Sequence, residues 1–187
     1  MSEETKRLIE RPWFRASTRA TSMMFIMHIT ESSRRLAPLS GGEQELGWFV
    51  LPPFQRPSVW SREQQIRFIE SAWMGLPLGV IVYNRPEDVH SRYDNWLLDG
   101  QQRVTAVLDY VNDKFPVYGY LFSELTDVDR RFWGSVSFAS METNLDDENK
   151  LRDIYDRLAY GGTPHKAKAD QITLGEIYEK GVRWAER

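Results

Sequence analysis

The sequence predicts an α+β domain in which a small mixed β-sheet is surrounded by helices. Short apolar runs typical of buried strands alternate with segments whose apolar residues recur every three or four positions, as in helices. The chain has 187 residues, of which 41% are hydrophobic and 13% aromatic, so it can bury a sizeable core. Such alternation fits α/β and α+β folds, and the uneven spacing of the segments favours a mixed sheet.

The composition excludes several classes of protein. Because the chain has no cysteine, disulfides, thiol nucleophiles and cysteine-ligated zinc sites are ruled out. The first residues are polar, and the longest apolar stretch, residues 23–29, is too short to span a bilayer. A net charge of -3 gives no general attraction to nucleic acids. We therefore expect a cytoplasmic protein with no membrane partner.

The chain is expected to have three parts, namely an N-terminal segment of residues 1–44 partly packed on the domain, a domain of residues 45–170, and a C-terminal helix of residues 171–187. Residues 1–35 contain seven Lys and Arg against four Glu, an excess too small to indicate a DNA-binding arm. Residues 21–36 fit a helix or a strand followed by a loop, because their periodicity is ambiguous. Residues 40–47 predict a turn or loop.

The elements of the domain can be assigned in order. A strand ends at Pro52, since proline cannot donate to a β-ladder. A helix follows, with Ser61 as N-cap, Gln64 at the capping-box position and Gly75 at its end. The remaining predictions are strands at 79–83, 96–99, 115–120 and 135–140, and helices at 102–111, 125–133 and 146–162.

One strand-to-helix corner carries an unusual concentration of polar groups, from Asp99 through Gly100 to Arg103. The simplest interpretation is a turn, in which Asp99 caps the next helix and Gly100 supplies a positive φ. The chemical interpretation is a phosphate site. The first N–H groups of a helix have no intrahelical partner and favour an anion, and Arg103 adds a guanidinium suited to phosphate. Asp99 would hold a magnesium ion or orient an attacking water.

Two other segments form polar corners. Gln55 and Arg56 lie between a strand and a helix, so they would form a second corner beside the first; the structural alternative is that Arg56 is the partner of an acid. The paired glycines Gly161 and Gly162, followed by Thr163, are typical of a structural helix stop.

Taken together, three ordered motifs resemble a known family. "FQRPSVW", "LLDGQQRVTAVLDYV" and "RLAYGGTP" are similar in type, order and spacing to the DGQQR family of the ParB/sulfiredoxin-like superfamily, found in the N-terminal domains of GmrSD-type restriction subunits. The resemblance covers roughly residues 45–170. It departs from the family pattern at Ala159 and Tyr160, where a polar asparagine is expected near the glycines.

The resemblance implies a ParB/sulfiredoxin-like fold that binds and hydrolyses a nucleoside triphosphate with Mg²⁺ or Mn²⁺, in a system of DNA restriction, phage defence or counter-defence. Asp99 would bind the metal, Gln101 or Gln102 would position the nucleophile, and Arg103 would bind phosphate. The nucleotide-binding residues implied by the motifs are Gln55, Arg56, Gly100, Gly161, Gly162 and Thr163, beside the catalytic set Asp99, Gln101, Gln102 and Arg103.

The histidines argue against DNA cleavage by this polypeptide alone. His28, His90 and His165 are scattered, and no His-Asn-His cluster can be assembled from adjacent residues. We therefore expect a separate nuclease subunit as a partner, with DNA as a further partner and oligomers allowed by the many aromatic residues. The alternatives are a non-catalytic DNA- or protein-binding module, in which Arg15, Arg19, Arg34 and Arg35 would matter more, and a metal-dependent DNA nickase.

Overall fold

The computed structural model describes residues 22–30 and 37–160. In chain order the elements are β1 (Ser22–Phe25), α1 (Ile26–Ile29), β2 (Gln44–Leu46), β3 (Phe49–Leu51), α2 (Arg62–Trp73), β4 (Val80–Asn84), β5 (Leu97–Asp99), α3 (Gln101–Val111), a 3-10 helix (Phe122–Glu124), α4 (Asp127–Ser135), β6 (Ser137–Thr143) and α5 (Glu148–Tyr160). Four strands form one sheet in the order β1-β6-β4-β5. Only the β4–β6 pair is parallel. The predicted α+β class with a small mixed sheet is confirmed.

Helices cover both faces of the four-stranded sheet, because its strands alternate apolar side chains between two cores. On one side, Ile81 and Tyr83 of β4 pack with the buried residues of α2 and α3. On the other side, Val82 packs with Leu151 and Ile154 of α5. The sheet therefore holds the start of α3 and the end of α5 at the same end of β5.

The N-terminal part of the described chain resolves the ambiguity for residues 22–30, whereas residue 21 and residues 31–36 lie outside the described residues. Ser22–Phe25 is a strand paired antiparallel with β6, and a single helical turn follows it directly. Ile26 and Ile29 of that turn are fully buried. Both interpretations were thus partly right, since a short strand and a short helix adjoin within one apolar run.

The prediction that residues 40–47 form only a turn or loop was wrong for Gln44–Leu46, which pairs with β3 in a hairpin. The hairpin turns at Gly47, whose φ is +58°. A Cβ added to Gly47 would lie 2.1 Å from the carbonyl oxygen of Ile29. This approach therefore requires glycine at the turn, and the residues of β2 show no strand-like alternation of burial.

The helix predicted from Ser61 is confirmed with its caps. The Ser61 side chain accepts from the Gln64 N–H, and the Gln64 side chain accepts from the Ser61 N–H. At the other end, Gly75 has a φ of +71°, and the N–H of Leu76 donates to the carbonyl of Ser71 at 3.0 Å. These bonds form the Schellman motif that the glycine predicted.

One predicted strand is absent. Residues 115–120 form an isolated bridge between Val117 and Tyr120 around a two-residue turn. Tyr118 and Gly119 both have positive φ values, 51° and 86°, so the chain reverses before a ladder can form. The other predicted strands and helices between residues 79 and 160 are confirmed, whereas the helix predicted for residues 171–187 lies outside the described residues.

Candidate functional site

The polar corner lies where β5 gives way directly to α3. Gly100 is the N-cap, with φ of +107°, and a Cβ added there would lie 3.2 Å from Cγ1 of Ile81. The first helical bond runs from the Val104 N–H to the Gly100 carbonyl at 3.0 Å, and no side chain among the described residues caps the helix. The proposed capping role of Asp99 is therefore wrong. The N–H groups of the first turn of α3 lack intrahelical acceptors and are oriented towards an incoming group.

Asp99, the last residue of β5, forms an ion pair with Arg103 in the first turn of α3. Nη2 of Arg103 lies 2.8 Å from Oδ2 of Asp99 and also donates to the Val80 carbonyl at 2.7 Å. Arg103 is 22% exposed and its Nε is buried without a hydrogen-bond partner in the described structure, whereas Asp99 is 47% exposed. The guanidinium is thus fixed on β4 and orients the more accessible carboxylate.

The side chain of Gln102 forms hydrogen bonds with other residues of the protein. Its Oε1 accepts from Oγ of Ser58 at 2.7 Å and from the backbone N–H groups of Val59 and Trp60 at 3.0 and 3.1 Å. These donors lie in the loop that follows Arg56, more than forty residues earlier in the chain. Gln102 therefore joins the two polar corners.

The second corner is fixed beside the first, as the sequence predicted. The side-chain amide of Gln55 donates to the carbonyl of Leu97, on β5. The backbone N–H of Arg56 donates to Oη of Tyr155, on α5, at 3.3 Å. The exposed side chain of Arg56 is thereby placed at the mouth of the same cleft as Asp99.

The cleft has a volume of about 240 Å³. Its described walls come from three segments, with Gln55, Arg56 and Trp60 from the loop, Leu98 to Arg103 from the corner, and Tyr155, Leu158 and Ala159 from α5. The charged residues of these walls are Arg56, Arg103 and Asp99, so the walls carry an excess of one positive charge. This positive charge favours the binding of a small anionic group, such as a phosphate.

The α5 wall was not predicted from the sequence. Tyr155 and Leu158 belong to the run of apolar residues spaced three or four apart on α5, which indicates only that this helix is amphipathic. Gly161, Gly162 and Thr163, which follow α5, lie outside the described residues. Their predicted place in the site is neither confirmed nor contradicted.

Asp99 would be the metal ligand of this cleft. Within residues 22–30 and 37–160, no group of three or more His, Asp or Glu residues is arranged to hold a metal ion. Mg²⁺ commonly takes one or two protein carboxylates and completes its shell with water and substrate phosphates. The open carboxylate of Asp99 meets that need only together with a phosphate ligand.

Comparison with known proteins assigns the chain to a family. No curated protein and no solved structure matches it. No helix in the described part of the chain is both long and apolar enough to cross a membrane. The family model described as "GmrSD restriction endonuclease, N-terminal domain" matches residues 37–176, which is 140 of the 187 residues and includes both polar corners. The chain therefore belongs to the family of GmrSD restriction endonuclease N-terminal domains.

Proposed function

We propose that this domain has a ParB/sulfiredoxin-like fold, binds a nucleoside triphosphate in the cleft between the two polar corners and hydrolyses it with Mg²⁺ or Mn²⁺. The observation that carries the proposal is the uncapped N-terminus of α3 in a cleft with an excess of positive charge. Unpaired helix N–H groups and the helix dipole stabilise phosphate oxygens there. Gly100 allows the chain to pass directly from β5 into α3, because its φ of +107° strongly favours glycine and a Cβ there would lie 3.2 Å from Cγ1 of Ile81.

Each side chain of the cleft has a part in this proposal. Arg56 is exposed and would contact the phosphate directly, while Arg103 is held in place by Asp99 and the Val80 carbonyl and adds its positive charge to the cleft. Asp99 holds the divalent ion, which neutralises phosphate charge when it is bound. Gln101, whose side chain has no hydrogen bond within the described structure, is available to orient the attacking water.

The family supports a link to DNA restriction or phage defence, in which hydrolysis at this cleft is coupled to DNA recognition or cleavage. We propose that the nuclease activity resides in a partner domain or subunit. The described residues of this chain provide no clustered metal ligands, so the cleft itself is poorly equipped for phosphodiester hydrolysis.

The test is phosphate release by the purified protein with ATP, GTP, CTP and UTP in the presence of Mg²⁺. Asp99→Ala should abolish turnover with the preferred nucleotide, a loss of at least ~10²-fold, because the variant lacks the metal ligand. Glu87→Ala, which removes an exposed carboxylate outside the cleft, is the matched control and should keep wild-type turnover.

The outcomes separate the alternatives. Full turnover by Asp99→Ala would show that hydrolysis does not take place at this corner. If no nucleotide is hydrolysed and none raises the melting temperature, the domain is a non-catalytic binding module, and salt-dependent DNA binding without nucleotide would identify its ligand. Nicking of supercoiled plasmid by the pure protein with Mg²⁺ or Mn²⁺ would instead indicate a nickase.

A further inference from the structure

The two glutamines that follow Gly100 are in different situations. The side-chain oxygen of Gln102 accepts three hydrogen bonds from Ser58, Val59 and Trp60. The Gln101 side chain lines the same cleft but has no hydrogen bond within the described structure. Adjacent residues on a helix point about 100° apart, so one can contact the protein while the other faces a ligand.

The loop held by Gln102 is the one that carries Arg56. This loop is tied at one end by the Gln55 amide on the carbonyl of Leu97 and at the other by Trp60, whose ring packs on Phe68 with centroids 5.4 Å apart. Between these points Val59 is 67% exposed, so little packing fixes the loop there. The three bonds to Gln102 join residues 58–60 of the loop to α3, and the N–H of Arg56 joins the loop to Tyr155 of α5.

We infer that Gln102 is a positioning residue rather than a ligand-contacting one. Its acceptor oxygen holds the loop so that Arg56 faces the N-terminus of α3, and Gln101 is the glutamine that contacts the bound group. This inference rests on the proposed function for the identity of the ligand. The three hydrogen bonds to Oε1 of Gln102, here called the Gln102 clamp, join groups of the protein itself.

The chemistry of the clamp distinguishes three substitutions. In the described part of the chain the bonds of the Gln102 side chain all go to Oε1, so Gln102→Glu keeps the acceptor that the three donors need. Gln102→Met has a similar length but provides no comparable acceptor, and the N–H groups of Val59 and Trp60 then lose their partner. Gln101→Met makes the same change in shape at the neighbouring position and is the matched control.

The first experiment measures amide hydrogen exchange at Val59 and Trp60 by NMR in the protein without nucleotide. Exchange should be slow in the wild type, Gln102→Glu and Gln101→Met, and at least ~10-fold faster in Gln102→Met, because exchange reports loss of the local hydrogen bond. Unchanged exchange in Gln102→Met, or exchange in Gln102→Glu as fast as in Gln102→Met, would overturn the clamp.

The second experiment measures binding of inorganic tripolyphosphate with Mg²⁺ by calorimetry, a probe that does not depend on base preference. Arg56→Ala and Gln102→Met should each weaken binding ~10-fold, and the double variant should bind no more weakly than either one, because Gln102 acts through Arg56. Additive losses, ~100-fold in the double variant, would show that Gln102 contacts the ligand itself.

The two experiments test the positioning role and the proposed function separately, so either one can be overturned without the other. If the wild type binds no tripolyphosphate and no nucleotide, the proposed function is overturned, while the exchange data still decide whether Gln102 holds the loop. If the wild type binds and the exchange rates do not respond to Gln102→Met, the proposed function stands and the positioning role is overturned.

Discussion

At the scale of single residues, the pair of Arg103 and Asp99 differs from an ordinary surface ion pair. Exposed pairs at i and i+4 on a helix contribute about 0.3–0.5 kcal/mol. Here the guanidinium is mostly buried and donates from the same nitrogen to Asp99 and to the Val80 carbonyl, which fixes it against β4. The pair therefore sets the direction of the carboxylate more than it stabilises the fold.

Arg103→Lys tests that role. A lysine keeps the charge but lacks the planar fork, so it cannot reproduce the fixed geometry that holds Asp99. We expect turnover to fall at least ~10-fold while the melting temperature changes little. Steady-state phosphate release and thermal unfolding measure the two effects.

A second pair on the surface provides the control for Arg103→Lys. Arg157 and Asp153 on α5 have the same i and i+4 spacing and an Nε–Oδ2 distance of 2.9 Å, but Arg157 is 68% exposed. Arg157→Lys should leave turnover unchanged. Equal activity in both variants would show that the orientation of Asp99 does not depend on the guanidinium.

The raised pKa of Tyr83 predicts how the stability of the protein changes at high pH. Burial raises the pKa of Tyr83 well above its ordinary value of 10.0, and the hydrogen bond to Glu142 and the charge of that carboxylate raise it further. A raised pKa means that the folded state keeps the proton longer than the unfolded state. The stability that Tyr83 contributes is therefore complete below pH 10 and is lost as the pH rises above it.

The free energy of unfolding should consequently fall above pH 10 by up to about 1.4 kcal/mol per pH unit more in the wild type than in Tyr83→Phe. Tyr110, whose pKa burial also raises, leaves a residual slope in the variant. Tyr120→Phe, at a side chain that is 60% exposed, should follow the wild-type curve. Urea denaturation at a series of pH values measures the slopes, and equal slopes for wild type and Tyr83→Phe would contradict the assignment.

At the scale of elements, the start of α3 depends on a backbone that only glycine adopts easily. Gly100→Ala combines a φ of +107° with a Cβ 3.2 Å from Ile81, so we expect a loss of about 2–3 kcal/mol in stability. Gly75→Ala is the control, because its φ is +71° but nothing lies within 4 Å of the added Cβ. It should lose only about 1 kcal/mol. Chemical denaturation compares the two, and equal losses would show that the contact with Ile81 carries no cost.

Elements whose signals are local could be predicted from the sequence. Ser61 and Gln64 cap α2 through side chains three residues apart, and the short helix α4 starts at Thr126 with Asp129 in the same arrangement. β2 could not be predicted in this way, because its pairing depends on Gly47 meeting the carbonyl of Ile29. Such an approach joins segments that carry no mutual signal in the sequence.

At the scale of the whole molecule, the cleft joins three segments that are far apart in the chain. The sequence identified Gln55, Arg56 and the residues from Asp99 to Arg103, because polar groups at strand-to-helix corners have a chemical reason to be there. It did not identify Tyr155, since a tyrosine on an amphipathic helix has many uses. The hydrogen-bond partners of Gln102 likewise could not be predicted from the sequence, because they depend on how the loop packs over α3.

This arrangement predicts a footprint for the ligand. Binding of nucleotide with Mg²⁺ should slow hydrogen exchange in residues 55–60, 99–103 and 155–159 together, since all three line one cleft. The turn at residues 117–120 does not line the cleft and should be unaffected. Protection limited to one of the three segments would show that the ligand occupies a different place.

The contacts that build the cleft also close the free side of β5. This strand pairs with β4 on one side. On its other side, the side-chain amide of Gln55 donates to the carbonyl of Leu97. Just before the strand, the N–H of Val50 donates to the carbonyl of Asn95 at 2.9 Å, and Val50 forms a bridge with Trp96. An open strand edge is a template for pairing with another chain and for aggregation. The segment that brings Gln55 and Arg56 to the cleft therefore also occupies a carbonyl on the edge strand β5, so we expect a variant that loosens this loop to aggregate more readily.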